Sequence, residues 1–273
     1  MKIGVVGVGY VGSAVVKMFE KRYEVFKYDP ALSDSATKEE INLCDLAVVC
    51  VPTEMDKTGE FPFRCDTKIV EETIDWLETP VIMIKSTVEP GTTDRLKEKT
   101  GKRIVMSPEY IGEGKYYVPA ELDFTTNMEV TPFWILGGDE KDTNYIIDIL
   151  VPILGPVKTY YSTTAIEAEL VKYFENYFLG LKVVFANEMK EIVENLGGNY
   201  YKIREGWVLD PRVSKFHSLV FPGKEGFSGK CLPKDLNALY RACKDKGYEP
   251  TLLKSVLETN NKIRERHNLP LDY

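Results

Sequence analysis

Histidine is almost missing from this chain: only His217 and His267 occur in 273 residues. Catalysis by a histidine dyad and zinc binding by histidine clusters therefore have little to draw on. Cysteine is sparse as well. Cys44, Cys50, Cys65, Cys231 and Cys243 are odd in number and lack metal-type spacing. That pattern excludes a disulfide scaffold and predicts a reduced, cytoplasmic setting with no metal. No basic run offers a nucleic-acid surface, since 35 Lys and Arg are set against 42 Asp and Glu, a net charge of −7. An anionic ligand must then be held by local groups and not by the overall field. No apolar run approaches membrane-spanning length, and Met1-Lys2-Ile3-Gly4 passes straight into a strand pattern without a signal peptide. No repeat or low-complexity stretch stands out.

What remains is a soluble globular composition, 44% hydrophobic and 28% charged, long enough for one large or two ordinary domains. The apolar run Lys2 to Gly7 reads as a buried parallel strand. It leads into Gly7-Val8-Gly9-Tyr10-Val11-Gly12 and a helical pattern from Ser13. In such a loop Gly7 permits the tight turn, Gly9 lets a pyrophosphate approach the backbone, and Gly12 allows close helix–strand packing. Asp29 ends the next strand, Tyr23 to Tyr28. An acid there bonds a ribose 2′-hydroxyl and repels a 2′-phosphate, which favours NAD over NADP. The competing reading is a glycine-rich turn without a ligand.

Strands and helices keep alternating. Strands are expected over Leu46–Val51, Val81–Ile84, Arg103–Met106, Phe133–Leu136 and Val157–Tyr161, with helices over Asp66–Leu77, from Pro90, and over Asp142–Leu150. Ligands of open α/β sheets lie beyond the carboxyl ends of the strands. Pro52-Thr53, Thr87, Glu109 and Glu113 stand at such ends. Each alone is as well explained by a helix cap or a solvated acid; together they read as a site.

From about Thr163 the alternation stops. Thr164 to Leu196 carries one long helical pattern ending at Gly197-Gly198, a spine between domains or subunits. Lys172 and Asn176 share a face, with Glu169 or Glu175 as ordinary partners for the lysine. Helices follow at Asn199–Trp207, Pro233–Lys246 and Thr251–Arg266, and Arg212 sits in the loop Asp210-Pro211-Arg212. The richest stretch is Glu225 to Asp235. Cys231 follows Gly226 and Gly229, Pro233 opens a helix, and Asp235 lies one turn on. A helix start flanked by Lys230 and Lys234 favours thiolate and makes Cys231 a candidate nucleophile, against the commoner fate of a small core residue.

Taken in order, these pieces resemble the UDP-glucose/GDP-mannose dehydrogenase family. The matching segments are Gly7 to Gly12, Lys85-Ser86-Thr87-Val88, Pro108-Glu109-Tyr110 with Glu113-Gly114, Glu169 to Lys172 with Asn176, Asn187-Glu188, and Gly226 to Asp235. The resemblance implies a Rossmann-type, doubly wound, mainly parallel sheet over residues 1–162, then an all-helical dimerisation and cysteine domain over 163–273. It implies a double oxidation of a nucleotide-sugar C6 alcohol by two NAD, UDP-glucose being the leading substrate. Cys231 would form a thiohemiacetal and then a thioester. Lys172 and Asn176 would stabilise the oxyanion, Asp235 and Thr87 would hold water, and Glu109 would act as base. Gly7, Gly9, Tyr10, Val11, Gly12, Asp29, Pro52, Thr53, Thr87, Glu113 and Lys234 would contact NAD. Glu109, Tyr110, Lys172, Asn176, Phe221, Gly226 and Cys231 would contact substrate, with Arg212 reaching the substrate of a second subunit in a homodimer.

The chain also departs from the family pattern. Family members usually continue into a third domain that contributes to the UDP site, whereas this sequence stops at Tyr273. A separate polypeptide, or the helical domain with a second subunit, would then complete the pocket. Ser228 and Lys230 replace commoner glycine and serine, and Phe133-Trp134 replaces an arginine-containing pair. Two rivals stay open: a single-hydride β-hydroxyacid or 6-phosphogluconate-type dehydrogenase, and a non-catalytic NAD- or nucleotide-sugar-binding protein.

Overall fold

The computed structural model describes residues 1–112, 123, 125 and 127–271. The chain divides into two compact units, residues 1–53 with 66–172, and residues 54–65 with 173–273.

The first unit is a seven-stranded sheet in the order β2-β1-β3-β6-β7-β8-β9. Its strands are β1 Lys2–Val6, β2 Glu24–Tyr28, β3 Leu46–Val49, β6 Ile82–Ile84, β7 Ile104–Met106, β8 Phe133–Gly137 and β9 Thr159–Thr163. All neighbouring pairs are parallel except β7 with β8. The doubly wound, mainly parallel sheet expected from the alternation is present. Side chains alternate between its faces, as period two requires. Ile3, Val5, Leu46, Val48 and Met83 enter one apolar cluster, while Val6, Ala47, Val49, Ile82 and Ile84 enter another. Each such buried Val, Leu, Ile or Met side chain contributes about 1.5–3 kcal/mol.

Helices α1 Tyr10–Phe19, α3 Lys68–Trp76, α4 Thr92–Thr100 and α5 Glu140–Leu154 cover the sheet, and the five-residue α2 Lys38–Asn42 was not foreseen. Thr37 accepts the Glu40 N–H while the Glu40 side chain accepts the Thr37 N–H, a reciprocal cap that sustains so short a helix. Gly101, at φ +68°, ends α4 in a conformation that a side chain disfavours.

Strand ends are aligned. Val6 is in register with Tyr28 and Val49, Val49 with Ile84, and Ile84 with Met106. The segments that follow these strands therefore leave the sheet along one row. Because β8 runs antiparallel through Met106↔Gly137, its first residues lie on the side where β6 and β7 end.

The second unit is helical apart from a small hairpin. It holds residues 173–195 of α6 (Ala165–Asn195), with α7 Tyr200–Trp207, α8 Leu232–Asp245 and α9 Thr251–Arg266. The Gly198 N–H bonds the Val193 carbonyl and closes α6. The hairpin, β4 Met55–Asp56 with β5 Arg64–Cys65, comes from the first quarter of the chain yet belongs to this unit. It is held to α8 by Asn237, whose Oδ1 accepts the Phe63 N–H, and by an Arg64–Asp245 ion pair. The units part at Lys172/Tyr173, ten residues beyond the boundary expected from sequence, and the excursion of 54–65 was not expected. No described helix is long and apolar enough to cross a membrane.

Candidate active site

In the first unit the glycine loop and Asp29 form one structure. Asp29 accepts the Val8 N–H at 2.7 Å on one oxygen and the Ala31 N–H at 2.9 Å on the other. Gly7 adopts φ +84°, where an added Cβ would lie 2.8 Å from the Cys50 carbonyl oxygen. A Cβ on Gly12 would lie 1.9 Å from the Gly7 carbonyl oxygen, so strand and helix need both glycines. Nothing stands within 4 Å of a Cβ on Gly9, which caps α1 without a side-chain bond to its first N–H groups. That open, donor-rich helix start fits a dinucleotide pyrophosphate, and Asp29 is held beside the same loop. Tyr10 and Pro52 are exposed and Val11 is half-buried around it.

Farther along the row, the Thr53 hydroxyl donates to the Thr87 carbonyl at 2.8 Å. Glu109 is hydrogen-bonded through one oxygen and paired by charge through the other. Oε1 accepts the N–H groups of Tyr110 and Ile111, at 2.7 and 2.9 Å, and Oε2 lies 3.1 Å from the Lys85 ammonium. Lys172, on α6, stands 5.0 Å over the Tyr110 ring, whose edge meets Phe133. Glu169, proposed from spacing as an ordinary partner of Lys172, is occupied elsewhere. It is 1% exposed and accepts from the N–H groups of Gly91 and Thr93 and from the Thr93 hydroxyl, tying α6 to the start of α4. Burial pushes its carboxyl up to about 7 against those donors. Glu113 lies outside the described residues.

In the second unit Cys231 is the N-cap of α8 and, of the five cysteines, the one that is exposed. The Asp235 N–H returns to the Cys231 carbonyl at 2.9 Å, which sets the carboxylate one turn below. Asp235 is 2% exposed; one oxygen accepts the Lys234 ammonium at 2.6 Å and the other accepts Asn176 Nδ2. Lys234 also stands 3.6 Å from Cys65 Sγ. Burial works against its charge, but Asp235, Cys65 and Cys231 together hold it above the ordinary lysine range. Lys234, expected as a cofactor contact, is therefore buried in the Asp235 cluster. Lys230 is exposed.

The approach to Cys231 is clamped. Gly226 adopts φ +73°, and Asn260, 1% exposed, accepts the Phe227 N–H at 2.7 Å and donates to its carbonyl at 3.1 Å. Arg212 pairs through two nitrogens with Asp210 on an exposed loop, and Phe221 is exposed. Cys65, Lys85, Glu169 and Asn260 are neighbours of the candidate groups that sequence reasoning did not assign. For Lys85 and Glu169 the signal was there, since both lie inside matched segments. Among the described residues, no cluster of three or more His, Cys, Asp or Glu is arranged to hold a metal ion.

Both halves match models of one family: the UDP-glucose/GDP-mannose dehydrogenase NAD binding domain over residues 29–146, and that family's central domain over 166–262. The putative UDP-glucose 6-dehydrogenase YtcA of Bacillus subtilis is 30% identical, over 96% of this chain and 68% of that protein. The chain belongs to the UDP-glucose/GDP-mannose dehydrogenase family. The UDP-glucose 6-dehydrogenase TuaD of the same organism is also 30% identical over 96% of this chain, and the chain spans 63% of its length. A UDP-glucose dehydrogenase structure from Pyrobaculum islandicum superposes with a TM-score of 0.80 at 26% identity, covering 98% of this chain and 71% of that one. This family member thus carries the NAD binding and central domains, with the glycine loop in the first unit and the Cys231 cluster in the second.

Proposed function

We propose that this chain oxidises the C6 alcohol of a nucleotide sugar to the carboxylate, with UDP-glucose to UDP-glucuronate as the leading case. The observation that carries the reading is the buried Asn176–Asp235–Lys234 network one turn below an exposed N-cap cysteine. A single hydride transfer has no use for a nucleophile supported in this way.

NAD, when held by the Gly7–Gly12 loop and Asp29, supplies the hydride acceptor for each oxidation. The protein's own groups do the rest. Asp235 and Thr87 hold the water that takes the C6 hydroxyl proton. The Cys231 sulfur then adds to the aldehyde carbon and forms a C–S bond, which keeps the aldehyde from escaping. Lys172 and the second N–H of the Asn176 amide stabilise the oxygen as it becomes negative. After the second oxidation the adduct is a thioester. A water oxygen adds to its carbonyl carbon, the water's proton passes to Glu109, and the C–S bond breaks with its electron pair returning to sulfur.

The same reading makes the chain a homodimer through α6. Phe174, Phe178, Phe185 and Ile192 are exposed at spacings of four, seven and seven, an apolar stripe along one helix face. Arg212 would then serve the substrate of the second subunit.

The test is NADH formed per sugar consumed, with UDP-glucose, GDP-mannose and UDP-N-acetyl sugars. Two NADH per sugar, lost in Cys231→Ala, is the expected result. One NADH, indifferent to Cys231, would sink the reading in favour of a single-hydride dehydrogenase. NAD binding without reduction of any kind would point to a binding protein.

A further inference from the structure

Lys85 follows β6 with its ammonium buried, the residue being 4% exposed. Three oxygens and one ring surround it within the first unit. Its Nζ lies 3.1 Å from Glu109 Oε2, 3.3 Å from the Pro108 carbonyl oxygen and 3.5 Å from Ser107 Oγ, with the Trp134 ring centroid at 4.4 Å. Trp134 reaches this place because β8 is antiparallel, so the start of that strand flanks the segment after β7. A small pocket lined by Lys85, Glu109, Tyr110, Phe133 and Trp134 opens beside the pair.

A buried ion pair adds little net stability over apolar residues of the same volume, because both charges lose their water. What it does supply is geometry. The backbone N–H groups of Tyr110 and Ile111 fix one oxygen of Glu109 by hydrogen bonds, and the Lys85 ammonium holds the other, which has no hydrogen bond of its own among the described residues, by charge alone. Attraction between that oxygen and the ammonium therefore favours one setting of the carboxylate's terminal torsion. We propose that Lys85 is a positioning residue for Glu109, holding that carboxylate in the orientation needed to take a proton from the water that cleaves the Cys231 thioester. The Trp134 face closes the other side of the ammonium and directs it at the acid. This inference rests on the reaction proposed above.

The experiment compares the unaltered chain with Lys85→Met, Lys85→Arg, Glu109→Gln and the double variant Lys85→Met/Glu109→Gln. NADH is followed on rapid mixing with UDP-glucose and NAD, and the intact protein mass is taken during turnover. In Lys85→Met steady-state turnover should fall roughly tenfold or more, the scale of a misplaced general base. The initial NADH burst should survive, and an acyl adduct should accumulate on Cys231. Lys85→Arg should recover part of the rate, and Lys85→Met should add no further loss to Glu109→Gln. Turnover of Lys85→Met within twofold of wild type would overturn the inference. So would a slow variant with neither burst nor adduct, or full additivity in the double variant. If Lys85→Met alone does not fold, the comparison of the double variant with Glu109→Gln decides, since both charges are then gone together. A wild-type chain that forms no NADH would overturn the reaction itself; a wild-type chain that turns over while Lys85→Met is unaffected overturns only the role of Lys85.

Discussion

Asn176 on α6 donates to the same carboxylate, Asp235 on α8, that Lys234 holds from the other side. Asp235 is therefore a buried anion with a partner on each oxygen, and the two helices are joined through it. Such a group is stable only while its partners remain. Lys234→Met removes the cation and leaves the charge behind, so unfolding in urea should show a loss of about 3–5 kcal/mol. The double change Lys234→Met/Asp235→Asn should lose less than Lys234→Met alone, since the stranded charge is gone. Equal or greater loss in the double variant would mean that packing, not charge, dominates here.

The two loop glycines separate folding from cofactor binding. A Cβ on Gly12 would collide with the Gly7 carbonyl, while one on Gly9 meets nothing within the protein. Gly12→Ala should therefore lose several kcal/mol, about 1–3 from overpacking and more if the strand–helix turn shifts. Gly9→Ala should unfold like the wild type but bind NAD at least tenfold more weakly by calorimetry, the methyl group standing where pyrophosphate must approach. Unchanged affinity in Gly9→Ala would remove the loop as the pyrophosphate site.

Thiol chemistry gives a third check, independent of turnover. Burial pushes the thiols of Cys44 and Cys50 up to about 11 and about 12, and raises that of Cys243. Cys231 is exposed at a helix N-terminus. Brief iodoacetamide treatment at neutral pH, mapped by peptide mass, should label Cys231 first. Prior labelling elsewhere would mean that its surroundings do not favour the thiolate.

Much of this arrangement was legible in the sequence, and the exceptions have physical reasons. The spine helix was expected over Thr164 to Leu196 and is observed over Ala165–Asn195, because many helical turns of periodicity outweigh local ambiguity. The strand ends carrying Thr53, Thr87 and Glu109 were placed correctly, since parallel sheets align their carboxyl ends. The hairpin of β4 and β5 was missed: two paired residues per strand leave no period to read, and what holds it lies far along the chain, at Asn237 and Asp245. Glu169 shows the same limit. Spacing on one helix suggested Lys172 as its neighbour, whereas its donors at Gly91 and Thr93 are more than seventy residues away.

The apolar stripe on α6 makes its own prediction. Phe178→Glu/Phe185→Glu places two like charges on exposed positions of α6, at the cost of the Phe185–Trp207 ring contact. If the stripe is the dimer seam, sedimentation should show the wild type at twice the monomer mass and the variant at the monomer mass, with helicity preserved. A wild-type monomer would withdraw both the seam and the role suggested for Arg212.

Glu169 yields the clearest dependence on pH. Its folded-state value, about 7, lies above the ordinary carboxylate value of 4.5, so the folded chain binds this proton more tightly than the unfolded chain does. Stability from this group is then fully present below about pH 4.5 and is lost as pH rises through about 7. The shift corresponds to roughly 3 kcal/mol, since each pKa unit is worth about 1.4 kcal/mol. Glu169→Gln cannot ionise, so its unfolding free energy should fall less than that of the wild type between pH 5 and pH 8. The variant also weakens the three-donor clamp on the start of α4, so its stability at pH 5 should lie below wild type by about 1–3 kcal/mol. The two curves should therefore converge as pH rises. Parallel curves across that range would show that the Gly91 and Thr93 donors keep Glu169 ionised throughout, and that the clamp is a fixed strut insensitive to pH.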